Sequence, residues 1–285
     1  MWLILALAVG FLNAVYAALA KKLVSNFSPF LTGFFAFLFA LPVLLVALSC
    51  SGWAELAPFF WEITLAGAVL NVSATALLFY AFKVADLSLT VPFLSFTPLF
   101  MLVTSRVMVG ETLTSGGIAG ILALVAGAYM LQIGKESGIL GPFKALAKNK
   151  GSMIALLVAF IYAVASNIDK IAIANSNPAV YPVVVYAMIT ALFLAAVIFR
   201  KEYNEAGITK NLFGFLLVGS VLGLTTILYA LAVNLGPITY IIALKRTNAF
   251  WSVVLGYLVF RERNVRTKMI GALFMIAGVL LISFG

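Results

Sequence analysis

The chain has 285 residues, 64% of them hydrophobic and only 9% charged, with a net charge of +9 and a mean hydropathy of +1.16. That balance excludes an ordinary soluble domain and points to an integral membrane protein. Cys50 is the only cysteine and histidine is absent, which excludes an internal disulfide and a multi-cysteine metal site. With no GxSxG elbow and no phosphate-cradling glycine loop either, no enzymatic role, cofactor or metal is expected.

A bilayer core about 30 Å thick takes about 20 apolar residues per helix. Runs of that kind follow one another along the chain as Trp2–Ala20, Ser28–Leu48, Phe59–Phe82, Leu87–Met108, Ser115–Ile133, Ser152–Ala174, Val180–Phe199, Leu212–Val233, Pro237–Phe260 and Thr267–Phe284. They predict an all-α membrane protein of ten transmembrane helices. The first run lacks the basic start and the small-residue cleavage site of a secretory signal, so it is read as a helix. Of the 18 cations, Lys21, Lys22, Lys83, Lys135, Lys144, Lys148, Lys150, Arg200, Lys201, Lys210, Arg261, Arg263, Arg266 and Lys268 fall in alternate loops. By the positive-inside rule those loops are cytoplasmic, and both termini lie outside a plasma or inner membrane. Their charge serves orientation and anionic-lipid contact rather than nucleic acid.

The chain also repeats. "FLNAVYAALAKK" from Phe11 aligns with "FIYAVASNIDKI" from Phe160, pairing Ala14 with Ala163 and Tyr80 with Tyr229 at one offset (163 − 14 = 229 − 80 = 149). After a slip of two residues, "GETLTSGGIAGILALVAGAYML" aligns with "RERNVRTKMIGALFMIAGVLLI", pairing Glu111 with Glu262, Gly120 with Gly271 and Gly127 with Gly278. The expected domains are a five-helix repeat over 1–134, a basic cytoplasmic linker over 135–151 and a second repeat over 152–285. Because five spans are an odd number, the second copy enters the membrane inverted. Inverted repeats around a site near the midplane are the architecture of alternating-access carriers.

Two five-helix repeats, each closing on a "GE" or "RE" turn and a glycine-spaced final helix, resemble the EamA branch of the drug/metabolite transporter superfamily over essentially the whole chain. The resemblance implies a carrier whose cavity lies between the first, third, fourth, sixth, eighth and ninth helices. The expected partners are a small-molecule substrate and the lipid bilayer, with a homodimer left open. Many relatives keep both termini in the cytoplasm, and the loop charges of this chain read the other way.

"YIIALKRTNAFWSVVLGYLVF", Tyr240 to Phe260, holds two adjacent cations in an otherwise apolar run. Lys245 is eight residues past Pro237, about 12 Å into the span at 1.5 Å per residue. A central Lys or Arg costs roughly 2.5 to 3.5 kcal/mol to insert, so both should face the interior. Lys245, Asn248, Ser252 and Gly256 recur at helical spacing as a polar and small stripe. Two readings stand: contact with an anionic substrate, or a structural role, as a buried ion pair with an acid such as Asp169 or Glu62 or by snorkelling toward a water defect. The segment is similar to the ninth helix of the plastid phosphate translocators, whose adjacent Lys and Arg read phosphate; Lys245 and Arg246 match that pair. A further lysine of that family would fall at Leu94 and is absent, which leaves carboxylated, phosphorylated and nucleotide-like anions open.

Asn13 and Asn167 in the first and sixth helices are read as interhelical hydrogen bonds or cavity lining. Tyr80 and Tyr229 are packing residues or ligand contacts. Asp169, with Lys170, and Glu62 are candidates for gating or coupling, or for local stabilisation. The small multidrug-resistance relatives carry protons on a first-helix glutamate, where this chain has Asn13. Glu111 and Glu262 each precede a helix whose N-terminal amides favour a carboxylate. Pro92 and Pro98 interrupt the fourth helix, and Gly116 and Gly120 carry the spacing of close helix packing. The function expected is secondary transport of a small anionic metabolite. The alternatives are export of amino acids or drugs, and flipping of a lipid-linked phosphate carrier.

Overall fold

The computed structural model describes residues 1–285 except 25, 86, 133–139, 142–143, 145–148, 203–206, 261–268 and 285. Glu262 and most of the basic linker therefore lie outside the described residues. The helices are α1 (Trp2–Val24), α2 (Pro29–Ser51), α3 (Phe60–Val84), α4 (Leu87–Leu94), α5 (Thr97–Met108), α6 (Ser115–Gln132), α7 (Lys150–Ala174), α8 (Val180–Arg200), α9 (Leu212–Leu235), α10 (Ile238–Lys245), α11 (Asn248–Phe260) and α12 (Met269–Phe284). Among the described residues, 8 helical stretches are long and apolar enough to cross a membrane.

Two of the predicted runs are each divided into two helices, α4 with α5 and α10 with α11. Pro98 supplies no N–H to the carbonyl of Leu94, and the Thr97 hydroxyl donates to that oxygen instead, at 2.9 Å. The second run contains no such proline, yet it breaks at the equivalent place. The helix bounds that flank the breaks differ by one offset (238 − 87 = 245 − 94 = 248 − 97 = 151). So do the tight bonds of the breaks: the amides of Ser95 and Phe96 donate to Pro92 and Phe93, and those of Arg246 and Thr247 to Ala243 and Leu244. Thr247 also returns its hydroxyl to Leu244 at 2.7 Å. The repeat is thus carried into backbone hydrogen bonding, with the two-residue slip falling between Tyr80 and Leu87.

The chain forms two compact units, Met1–Val72 with Ile168–Leu235 and Ser73–Asn167 with Gly236–Gly285, the division falling inside α3 and inside α7. In the first unit α2 packs on α8 and α9, and α1 packs on α9. Leu23, Phe27, Leu31, Val197 and Phe215 form its buried cluster. Close approach of α9 to α2 depends on Gly219 and Gly223, where a Cβ would lie 2.9 Å from the carbonyls of Ala36 and Ala40. Ser28 caps α2 by accepting from the amide of Leu31 at 3.0 Å.

The second unit is held by α6 against α12. A Cβ on Gly120 would meet the carbonyl of Gly278 at 2.8 Å and one on Gly278 that of Gly120 at 2.7 Å; Gly127 and Gly271 oppose each other in the same way, at 2.5 and 2.9 Å. The repeat pairs Gly120 with Gly271 and Gly127 with Gly278. Each glycine therefore meets the counterpart of its neighbour rather than its own, the reciprocal pattern of a two-fold contact.

Candidate functional site

Arg246 stands in the break between α10 and α11, and its Nη2 donates to Thr97 Oγ1 at 2.7 Å. Thr97 opens α5, so one hydroxyl accepts from the guanidinium and donates to the Leu94 carbonyl that Pro98 leaves open. A single relay thus joins the breaks of the two divided helices. Tyr162 on α7, hydrogen-bonded to Thr75 on α3, is the electrostatic neighbour of Arg246. Arg246 makes no ion pair among the described residues, and its buried Nε–H has no acceptor. Some of its charge is offset by position, since Lys245 and Arg246 end α10, where the helix dipole favours cations.

Two asparagines of the same unit share this unfinished state. Asn167, fully buried, donates from Nδ2 to Thr104 Oγ1 at 2.9 Å and to the Ala163 carbonyl at 3.0 Å. Among the described residues its Oδ1 accepts nothing, and neither does the buried Oδ1 of Asn248. Buried polar atoms without partners are uncommon in folded chains. Thr97 and Thr104 lie seven residues apart on α5, hence on one face and about 10 Å along it. One stripe therefore carries both the Arg246 and the Asn167 contacts.

The N-terminus of α10 is fixed by Glu111, whose carboxylate accepts from the amide of Ile238 at 2.6 Å, the amide of Thr239 at 3.3 Å and the Thr239 hydroxyl at 2.9 Å. Glu111, which directly precedes α6 in sequence, thus also serves a second N-terminus, that of α10. Thr114 caps α6, accepting from the Gly117 amide at 3.0 Å.

The expected stripe of Lys245, Asn248, Ser252 and Gly256 needs one continuous helix, and the break at Arg246–Thr247 interrupts it. Lys245 ends one helix, Asn248 begins the next, and Ser252 is exposed, as is Tyr80.

The remaining candidates belong to the first unit. Tyr229 and Asp169 come together there: the Tyr229 hydroxyl donates to Asp169 Oδ2 at 3.0 Å, while the Tyr181 hydroxyl donates to Oδ1. One carboxylate thus ties α7 to α8 and α9. Tyr186 pairs with the Thr226 hydroxyl nearby. Asn13 bonds the Val9 carbonyl of its own helix at 2.9 Å, and Glu62 is exposed in the first turn of α3. Thr97, Thr104, Tyr162 and Tyr181 were not singled out by the sequence. Of these only Thr97 carries a local signal, a hydroxyl directly before a helix-breaking proline.

The profile of the EamA-like transporter family matches residues 1–133 and 149–284, nearly the whole chain in two segments. The chain belongs to the EamA-like transporter family. A crystal structure with a TM-score of 0.77 covers 97% of this chain and 95% of its own at 18% identity, a likeness of fold alone. No curated protein matches the chain. As an EamA-like transporter it is a multi-pass membrane protein, and the two divided helices have a physical rationale. Backbone groups freed within a bilayer are tolerated where they border a cavity or a bound solute, and half-helix ends there attract ions.

Proposed function

We propose that this EamA-like transporter is a secondary carrier, not an enzyme, that moves a small anionic metabolite across the cell membrane by alternating access. Arg246 is its principal anion contact and Lys245 supports it as a point charge. The observation that carries this reading is the Arg246 guanidinium, held by Thr97 where the two breaks are joined and keeping a buried Nε–H without an acceptor. An oxyanion supplies both the missing acceptor and the missing charge. A purely architectural arginine would leave that donor unsatisfied at a cost of about 1 to 3 kcal/mol.

The same proposal takes the chain as ten spans in two inverted repeats, 1–134 and 152–285, joined by the basic linker 135–151, with both termini outside. The shared offset of the divided helices and the reciprocal glycine contact of α6 with α12 support the repeat. The loop charges support the orientation, and a fluorescent protein fused after Gly285 that stays dark in cells is its test.

Counterflow in proteoliposomes tests the carrier itself. A trans pool of the transported anion accelerates uptake through a carrier and leaves flux through a channel unchanged. Lys245→Gln with Arg246→Gln should abolish uptake, and full uptake by that double variant would overturn the site. Uptake of amino acids or cationic drugs without any anion response would favour an exporter. Stimulation only by lipid-linked phosphates would favour a flippase.

A further inference from the structure

Beyond an anion contact, the second unit holds, among the described residues, two buried side-chain amide oxygens without donors. Asn167 has a fixed orientation, because its Nδ2 faces the Ala163 and Thr104 oxygens, which leaves Oδ1 an acceptor in a fully buried residue. Asn248 Oδ1 is in the same condition two residues from Arg246. The Asn167 contact on α5 is about 10 Å from the Arg246 contact, since Thr97 and Thr104 are seven residues apart at 1.5 Å each.

A simple carboxylate or phosphate answers Arg246 and leaves both amides unsatisfied. An ammonium answers an amide oxygen but adds a further cation to a unit whose break already carries Lys245 and Arg246, and like charges repel. A hydroxyl donates without carrying charge, and it also accepts, so it satisfies either end of an amide.

We infer that the substrate is a polyhydroxylated anion of about six carbons, of the sugar-acid class. Its charged group lies on Arg246, one hydroxyl near that group lies on Asn248, and another toward the far end lies on Asn167. This inference rests on the anion reading above. Sites built to hydrogen-bond a hydroxyl discriminate strongly against analogues lacking it, because their own polar groups are then left bare.

The test uses full-length protein in detergent or nanodiscs and pairs of anions that differ in hydroxylation: gluconate against hexanoate, and glycerol 3-phosphate against propyl phosphate. Ligand-induced thermal stabilisation is read for each, with the response of Arg246→Gln subtracted as background. Gluconate is expected to bind at least tenfold more tightly than hexanoate. Asn167→Leu and Asn248→Leu should each narrow that gap, and the double variant should close it. A larger response to the phosphate pair would assign the anionic group to phosphate and keep the hydroxyl requirement. Equal binding of hydroxylated and plain members would overturn this inference and leave the anion reading standing. No response to any anion would overturn both. If alanine bound better than lactate, an ammonium would replace the hydroxyl. The wild-type pairs decide the matter even if a leucine variant fails to fold.

Discussion

In the unit formed by Met1–Val72 and Ile168–Leu235, Asp169 receives a phenol hydroxyl on each carboxylate oxygen, whereas in the other unit Arg246 has one threonine and a buried Nε–H with no acceptor. Both are charges on helices of a membrane protein, and both are costly to insert. The acid is met by groups the fold provides, from two other helices at once. The base is held in place and left incomplete. On the proposed function, the charge answered by its own chain acts as architecture and the one with an open donor meets the substrate.

Arg246→Gln carries the largest expected effect. Losing a charged partner of a bound anion costs about 2 to 5 kcal/mol, and about 1.4 kcal/mol is tenfold, so uptake into proteoliposomes should fall by about a thousandfold. The melting temperature should stay level or rise, because a desolvated charge is gone. A fall in both would place Arg246 alongside Asp169 and erase the contrast. Asp169→Leu should do the reverse of Arg246→Gln. Two phenols lose a charged acceptor, at about 1.5 to 3 kcal/mol each, so stability should drop by about 3 kcal/mol in detergent unfolding. Tyr229→Phe in that background should recover part of the loss; a stable variant that no longer transports would move Asp169 into the ligand site.

The next effect belongs to packing. Gly278→Val brings a Cβ to 2.7 Å from the Gly120 carbonyl and should destabilise the second unit by about 2 kcal/mol. Gly214→Ala, whose nearest neighbour would be the flexible end of Leu23 at 3.3 Å, should be close to neutral. Glu111→Gln keeps the hydrogen-bonding shape at the start of α10 and loses the charge, which is worth up to about 1 kcal/mol there. Because α10 delivers Arg246, the affinity for anion should weaken with it, read as a rise in KM larger than the fall in kcat. Asn13→Leu should change stability by no more than about 0.6 kcal/mol, since its amide serves only its own helix.

Much of this was legible in the sequence, for identifiable reasons. Span ends came within a few residues because apolar runs stop where charges or turn formers begin; Ser28, set at the start of the second run, is the N-cap of α2. The break in the fourth run was visible in Pro98. The break after Lys245 was not, because Lys-Arg-Thr-Asn contains no helix breaker, and only the offset of 151 shared with α4 and α5 exposes it (238 − 87). Treating that run as one helix produced the polar stripe that the structure interrupts. Glu111 was read as serving a helix N-terminus, but its bonds to the start of α10 were not legible, since a carboxylate before a helix gives the same local signal whichever N-terminus it reaches. The Asp169 cluster needed α8 and α9 to be folded against α7, and no spacing within one segment encodes that.

The glycine contact between α6 and α12 has a consequence for assembly. Two related helices that cross through reciprocal positions make a surface complementary to a copy of itself, and such a surface is indifferent to whether its partners belong to one chain or to two. A chain with only the first repeat, α1 to α6, would find its mate in a second copy of itself. Where the two repeats are free to differ they do, with Arg246 at the position that corresponds to Ser95 (246 − 95 = 151), whereas Gly120, Gly127, Gly271 and Gly278 leave no room for a side chain in either repeat.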